Sequence, residues 1–226
     1  MDENLVNAYQ NDEFLNVIFN DKVFEWTEPR IQSFNKIMAY YRCAMMEIET
    51  KFNVLNEEFS LQYDRNPISS VKSRLKSVKS MSNKLKKLNE PFTLSSLENK
   101  LNDVAGIRVV CSFESDVYML AEALLKQDDI VLVQKKDYIL NPKPNGYRSL
   151  HLIVEVPIFL SDEKRLMKVE IQLRTIAMDF WASLEHQLRY KKNRDFKEET
   201  AKELLYCADL SAELDRRMNE LRGRIL

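Results

Sequence analysis

The sequence predicts an α+β chain, with a mixed β-sheet domain in the middle flanked by long helices toward its N- and C-terminal ends. Three observations predict it. From Ile31 the apolar residues Ile31, Phe34, Met38, Tyr41, Met45, Ile48, Phe52, Leu55 and Phe59 advance in alternating steps of three and four, with Pro29 near the start. Near the other end, Leu204, Cys207, Ser211, Leu214, Met218 and Leu221 repeat that stripe with charged residues between them. The stretch between the two is rich in short β-branched runs separated by turn chemistry.

The elements follow in order. The first seam packs on its own domain or also meets another subunit; two such helices flanking one domain favour a homo-oligomer. After Pro67, the residues Val71, Leu75, Val78, Ser82 and Leu85 fit one helical face, which predicts a helix. Between Arg65 and Leu88 that stretch holds eight basic residues and no acidic one. In a chain of net charge −1 its counter-charges must come from elsewhere, and bound phosphate supplies them. Then come a strand at 107–112, a helix at about 115–126, and strands at 130–139, 149–159 and 166–174. The turn Asn141-Pro-Lys-Pro-Asn-Gly146 separates two of these strands, and a helix follows from Thr175 to about Lys191. These readings divide the chain into an N-terminal helical region (1–64), the sheet domain (65–192) and a C-terminal helix that is the expected oligomerisation element (193–226).

Composition removes several function classes. With 45% hydrophobic and 31% charged residues and near-zero net charge, the chain is neither disordered nor a globally basic nucleic-acid coat. Only three glycines occur, and Gly106, Gly146 and Gly223 lie too far apart for a P-loop or a dinucleotide fingerprint. Phosphates must therefore be held without a glycine nest. Cys43, Cys111 and Cys207 form no disulfide framework and no metal knuckle. The acidic start resembles no signal peptide and no 18-residue apolar run occurs, so the expected location is cytoplasmic, with no membrane contact.

The chemistry gathers on strand faces. Val169, Ile171 and Leu173 point one way, while Lys168, Glu170, Gln172 and Arg174 point the other. Leu150, Leu152, Val154 and Val156 likewise oppose a polar face begun by Tyr147, Ser149 and His151. If the two strands share a sheet, these polar faces coincide. Asp103 and Glu170 then offer two carboxylates to a hard cation such as Mg²⁺. Lys143, Asn145 and Gly146 precede Tyr147, an aromatic suited to stacking on a base. On the expected basic helix, Lys76, Ser80 and Lys84 form one stripe for a polyphosphate, with Arg74 on its apolar flank. Gly106 and Gly146 lie inside these clusters, as expected where backbone turns tightly beside a ligand.

At these residues the sequence resembles the (p)ppGpp synthetases of the RelA/SpoT type, and among them the single-domain small alarmone synthetases. The stretches that carry the resemblance are Arg74-x-Lys76-x-x-x-Ser80-x-x-x-Lys84, Asp103-Val-Ala-Gly106-Ile-Arg108, Lys136-Asp-Tyr138, Asn141 to His151, Glu170-Ile-Gln172-Leu-Arg174-Thr175 and Trp181-Ala-Ser-Leu-Glu185-His186. They run in family order over about half the chain. The resemblance implies a nucleotidyltransferase-like synthetase domain that transfers pyrophosphate from ATP to the 3′-OH of GTP or GDP, with Mg²⁺, releasing AMP. It implies Arg74 and Arg108 around the adenine, and Lys76, Ser80 and Lys84 with the ATP phosphates. It places Tyr147, Lys143, Asn145, Ser149, His151 and Gln172 around the guanine nucleotide. Asp103 and Glu170 become metal ligands, with Glu170 also the base. It further implies a homotetramer.

His151 and His186 are followed by Leu152 and Gln187, so the His-Asp pair of the alarmone-degrading enzymes is missing and synthesis without hydrolysis is expected. The competing expectations are a module binding single-stranded RNA or nucleotide with weak or lost catalysis, and a purely structural assembly. RNA or product remains a candidate regulator, and His186 has no assigned role.

Overall fold

A computed structural model of the chain describes residues 28–63, 65–190 and 198–225. The expectations for residues 1–27 and 191–197 lie outside the described residues. The element order is α1 (Glu28–Tyr63), β1 (Ile68–Leu75), α2 (Val78–Lys87), α3 (Leu94–Lys100), β2 (Ala105–Cys111) and α4 (Glu114–Leu125). It continues with β3 (Val131–Asp137), β4 (Leu150–Phe159), β5 (Lys164–Thr175), α5 (Ile176–Tyr190) and α6 (Glu198–Ile225). The five strands form one sheet in the order β1-β2-β5-β4-β3. Only the β2–β5 pairing is parallel, so the sheet is mixed and the architecture is α+β.

One sheet face is the core. Ile107, Val109, Leu152, Val154, Val169, Ile171 and Leu173 are buried there, and α1 and α4 lie across them. The α1 seam from Phe34 to Phe59 is buried against its own sheet, with Ile48 and Phe52 wholly inaccessible. That burial lies within the chain, so the seam packs on its own domain.

The C-terminal stripe behaves differently. On α6 the inward residues are Leu204, Ala208, Ser211 and Asp215, whereas Cys207, Leu214, Met218 and Leu221 face outward. The helix is held by Ala208, packed with Trp181 and Ala182, and by hydrogen bonds, not by the whole stripe read from the sequence. Trp181 Nε1 donates to the Leu204 carbonyl at 2.9 Å, and Ser211 Oγ to the Ala177 carbonyl at 2.9 Å.

The expected basic helix after Pro67 is a correction. Residues 68–75 form the edge strand β1, and the helix begins only at Val78. Ser69, Ser70 and Ser73 weaken helix formation, and β2 offers an antiparallel edge. Val71 and Leu75 are four residues apart, a spacing that shares one face in a strand as well as in a helix, so it did not separate the two; a bulge between Ile68 and Ser70 marks the start of the strand. Ser77 starts α2 by accepting from Ser80 N. The short α3, capped by Thr93, was not expected; seven residues give too little periodicity to read.

Candidate active site

The face opposite the core carries the polar side chains, and strand register arranges them in rows. Lys72 on β1 pairs with Arg108 on β2, Arg108 with Gln172 on β5, Gln172 with His151 on β4, and His151 with Lys136 on β3. The adjacent row runs Arg74, Gly106, Glu170, Ile153 and Gln134. Facing residues in paired strands project to the same side. The polar faces of β4 and β5 therefore coincide, and β1 and β2 extend them.

A cavity of about 540 Å³ opens on this face, bounded by Arg74, Lys76, Asp103, Arg108, Glu170 and Gln172 among others. Gly106 lies on its floor between Arg74 and Glu170, where any larger side chain would project into the space. It sits within β2 rather than at a tight turn, correcting the reading from sequence. Gly146 does take a turn conformation, with φ 85°.

Lys76 and Lys84 converge on Asp103 Oδ2, each at 2.8 Å. They do so from two places: Lys76 lies just before the Ser77 cap and Lys84 lies on α2, so the single helical stripe with Ser80 does not exist. The Ser80 hydroxyl accepts from Ser77 Oγ at 2.9 Å. Burial pushes the Asp103 carboxyl up, but the two lysines outweigh it and hold the carboxyl below its ordinary value. Its other oxygen, Oδ1, is buried with no hydrogen-bond partner among the described residues. An anionic oxygen left bare in low dielectric is costly, and a hard divalent cation satisfies it. The donor set of Asp103 and Glu170 on one cavity therefore fits Mg²⁺, which takes one or two carboxylates plus phosphate oxygens.

Glu170 is held by both neighbours on its sheet face. Gln172 Nε2 donates to its Oε2 at 2.9 Å, and His151 Nδ1 lies 3.5 Å from Oε1. Burial raises the Glu170 carboxyl, Asp103 also raises it, and His151 with Gln172 outweighs both, so the net shift is downward. At neutral pH it is an ionised carboxylate able to accept a proton.

Behind these groups stands Arg174, 4% exposed. Its Nη2 donates to the Tyr147 hydroxyl at 2.7 Å and to Gln172 Oε1 at 2.8 Å. Tyr147 Oη is 2.8 Å from His151 Nε2. With Nη2–H donating to the tyrosine oxygen, a tyrosine proton directed to Nε2 would leave the imidazole proton on Nδ1, facing Glu170; the roles of the two ring nitrogens follow the tautomer. Two chains thus run from Arg174 to the two oxygens of Glu170.

The loop before β4 forms the far wall. Lys143 Nζ stands 4.6 Å from the Tyr138 ring centroid and 4.8 Å from that of Tyr147. Asn145 Nδ2 donates to Glu185 on α5 at 3.2 Å. Tyr147 packs on Trp181, Ala182 and Ala208. Ser149 is a correction: it is wholly buried, its hydroxyl donating to the Leu173 carbonyl at 3.2 Å, and it does not reach the cavity face. His186 is exposed on α5.

The sequence reading assigned no role to Arg174 or Asp179. Arg174 was on the page, as the last polar residue of the β5 alternation. Asp179 offered no pattern at all.

Fold and cleft together define a mixed-sheet, nucleotidyltransferase-like protein with a cation-lined site built around two carboxylates. The region found in RelA/SpoT proteins matches residues 73–195. The chain is 44% identical over 181 residues to the Bacillus subtilis GTP pyrophosphokinase YwaC, covering 80% of this chain and 86% of that protein. The crystal structure of small alarmone synthetase 2 from Bacillus subtilis superposes with a TM-score of 0.77 at 41% identity, covering 85% of this chain and 99% of that one. Small alarmone synthetase 1 from the same organism, bound to its product pppGpp, gives 0.78 at 33% identity, covering 86% and 98%. The chain belongs to the RelA/SpoT family.

Proposed function

We propose that the chain is a GTP pyrophosphokinase that moves the β,γ-pyrophosphate of ATP to the 3′-hydroxyl of GTP or GDP, as its synthetase relatives' names indicate. The observation that carries this reading is the pairing of Asp103, one oxygen bare and the other between two lysines, with a hydrogen-bonded Glu170 on the same cavity. Arg74 and Arg108 take the adenine side, and Lys76 and Lys84 move from Asp103 onto the ATP phosphates. Tyr147, Lys143, Asn145 and His151 take the guanine nucleotide. Asp103 and Glu170 would hold Mg²⁺, which would supply neutralisation of phosphate charge. Glu170 accepts the proton of the 3′-hydroxyl as that oxygen attacks the β-phosphorus; the bond from the β-phosphorus to the AMP oxygen breaks, and AMP leaves with the electron pair. Such transfer needs alignment and charge neutralisation more than covalent chemistry.

The same reading makes the protein a cytoplasmic synthetase without hydrolase activity. It also makes the protein a homotetramer, supported by the outward row Leu210, Leu214, Met218 and Leu221, each 46–55% exposed. Among the described residues no helix is long and apolar enough to cross a membrane. The test incubates the protein with Mg²⁺, labelled ATP and GTP, with light scattering on the same sample. AMP and a 3′-pyrophosphorylated guanosine nucleotide are the expected products, from an oligomer. A folded sample that yields neither product overturns the enzyme reading, and a monomer overturns the assembly.

A further inference from the structure

Asp179, in the first turn of α5, stands where the two halves of the cleft meet. Its Oδ1 lies 3.0 Å from Nη1 of Arg174 and 3.2 Å from Nη1 of Arg108. One carboxylate oxygen is thus shared by two guanidiniums. Arg108 faces the cavity beside Arg74, whereas Arg174 is buried and directs Tyr147 and Gln172. The Nε of each arginine is buried without a hydrogen-bond partner among the described residues, so Asp179 is the ionic restraint common to both. The two cations also sense one another: burial lowers the Arg108 pKa, Arg174 lowers it further, and Asp179 opposes both. Without the carboxylate, two like charges would sit together in a half-buried site and repel.

We infer that Asp179 is a positioning residue that couples the two nucleotide subsites, holding Arg108 on one side and, through Arg174, aligning Tyr147 and Gln172 on the other. The inference rests on the assignment of ATP and the guanine nucleotide made above. A nucleotide that fixes Arg108 also fixes the oxygen that Arg174 shares. The second nucleotide then meets an Arg174 whose ionic partner is already fixed, so each ligand tightens the other, and by linkage the factor is the same in both directions.

The test measures, by calorimetry with Mg²⁺, the affinity for α,β-methylene-ATP with and without saturating GDP. The analogue cannot react because the bond to be broken is replaced. In the unaltered protein GDP should tighten the analogue about fivefold or more. In Asp179→Asn the factor should fall below about twofold, with the thermal midpoint confirming a folded sample. Arg108→Gln cuts the other arm at a partly exposed residue. It should bind the analogue more weakly, with an affinity that GDP no longer changes, and it decides the matter if Asp179→Asn does not fold. Retained coupling in either folded variant, or none in the unaltered protein, overturns the inference. Failure of the underlying reading looks different: the unaltered protein then forms no AMP from ATP and GTP.

Discussion

The two halves of the cleft are built on opposite principles. The donor half rests on the edge strand β1 and on α2, and its cations are accessible: the Lys84 side chain is 41% exposed and that of Lys76 is 23% exposed. Both are paired with Asp103, and under the proposed function a polyphosphate takes them over. The acceptor half rests on central strands and is wired in advance. Buried Arg174 feeds Tyr147, His151 and Gln172, while α6 presses Ala208 against the turn at Gly146. One half must rearrange its charges when ligand arrives; the other holds its dipoles in place at no further cost, as electrostatic catalysis requires.

Glu170 stands at the junction and gives the largest expected effect. Glu170→Gln keeps the shape and the sheet pairing but removes the proton acceptor. Turnover should fall by about 10³-fold, within the usual range for losing a general base, while ATP and GTP affinities stay within about threefold, below the roughly 1 kcal/mol that a factor of five represents. Steady-state rates and equilibrium binding check both. Normal turnover in this variant removes Glu170 from the reaction and leaves the prewired half without a purpose.

A matched pair of variants breaks the comparison if the halves are not distinct. In Gly146→Ala the new Cβ would sit 2.4 Å from Ala208 Cβ and 3.1 Å from Leu205 Cδ1. The left-handed backbone adds about 1–2 kcal/mol of strain. The acceptor turn should shift, raising KM for GTP about tenfold at saturating ATP, the size that such a strain implies. Lys84→Met on the donor side should instead raise KM for ATP about tenfold, the worth of one hydrogen bond to a charged group. Movement of both constants together in either variant shows one pliant site rather than two halves.

The same contrast governs what the sequence made legible. The seam of α1 repeats over many residues and is buried on one side, so its period and its packing agree. β5 alternates cleanly from Val169 because one face is core and the other is the site, and β4 follows it at Leu150, His151 and Leu152. β1 failed because an edge strand buries little and because Val71 and Leu75, four residues apart, share a face in either element. Ser149 was placed with Tyr147 and His151 by alternation, yet β4 begins only at Leu150, and the Ser149 hydroxyl turns to the Leu173 carbonyl instead of the cavity. Arg174 and Asp179 are five residues apart across a strand-to-helix junction, where neither period applies. Their pairing exists only once β5 has turned into α5. The donor half was legible as composition, a run of lysines without acids, while its geometry was not.

The smallest expected effect separates the halves by pH and salt. Asp103 and Glu170 both titrate below their ordinary values of 3.8 and 4.5. A depressed carboxyl contributes stability that is fully present above its unfolded value and is lost as pH falls through its folded value. The difference in urea midpoint between the unaltered protein and Asp103→Asn should therefore be constant near neutral pH and shrink once pH drops below 3.8. Its size at neutral pH should be on the order of 1 kcal/mol or less, since one of the two lysines is substantially exposed. Salt should separate the two carboxyls. Asp103 is held by lysine charges open to solvent, so its contribution should fall between low ionic strength and about 1 M, where the screening length is about 3 Å. Glu170 is held by the Gln172 amide and by His151, both within the sheet face, so the same comparison with Glu170→Gln should change less. Equal salt sensitivity at both positions would mean that the acceptor half is as open to counter-ions as the donor half, and that its wiring is not insulated from solvent.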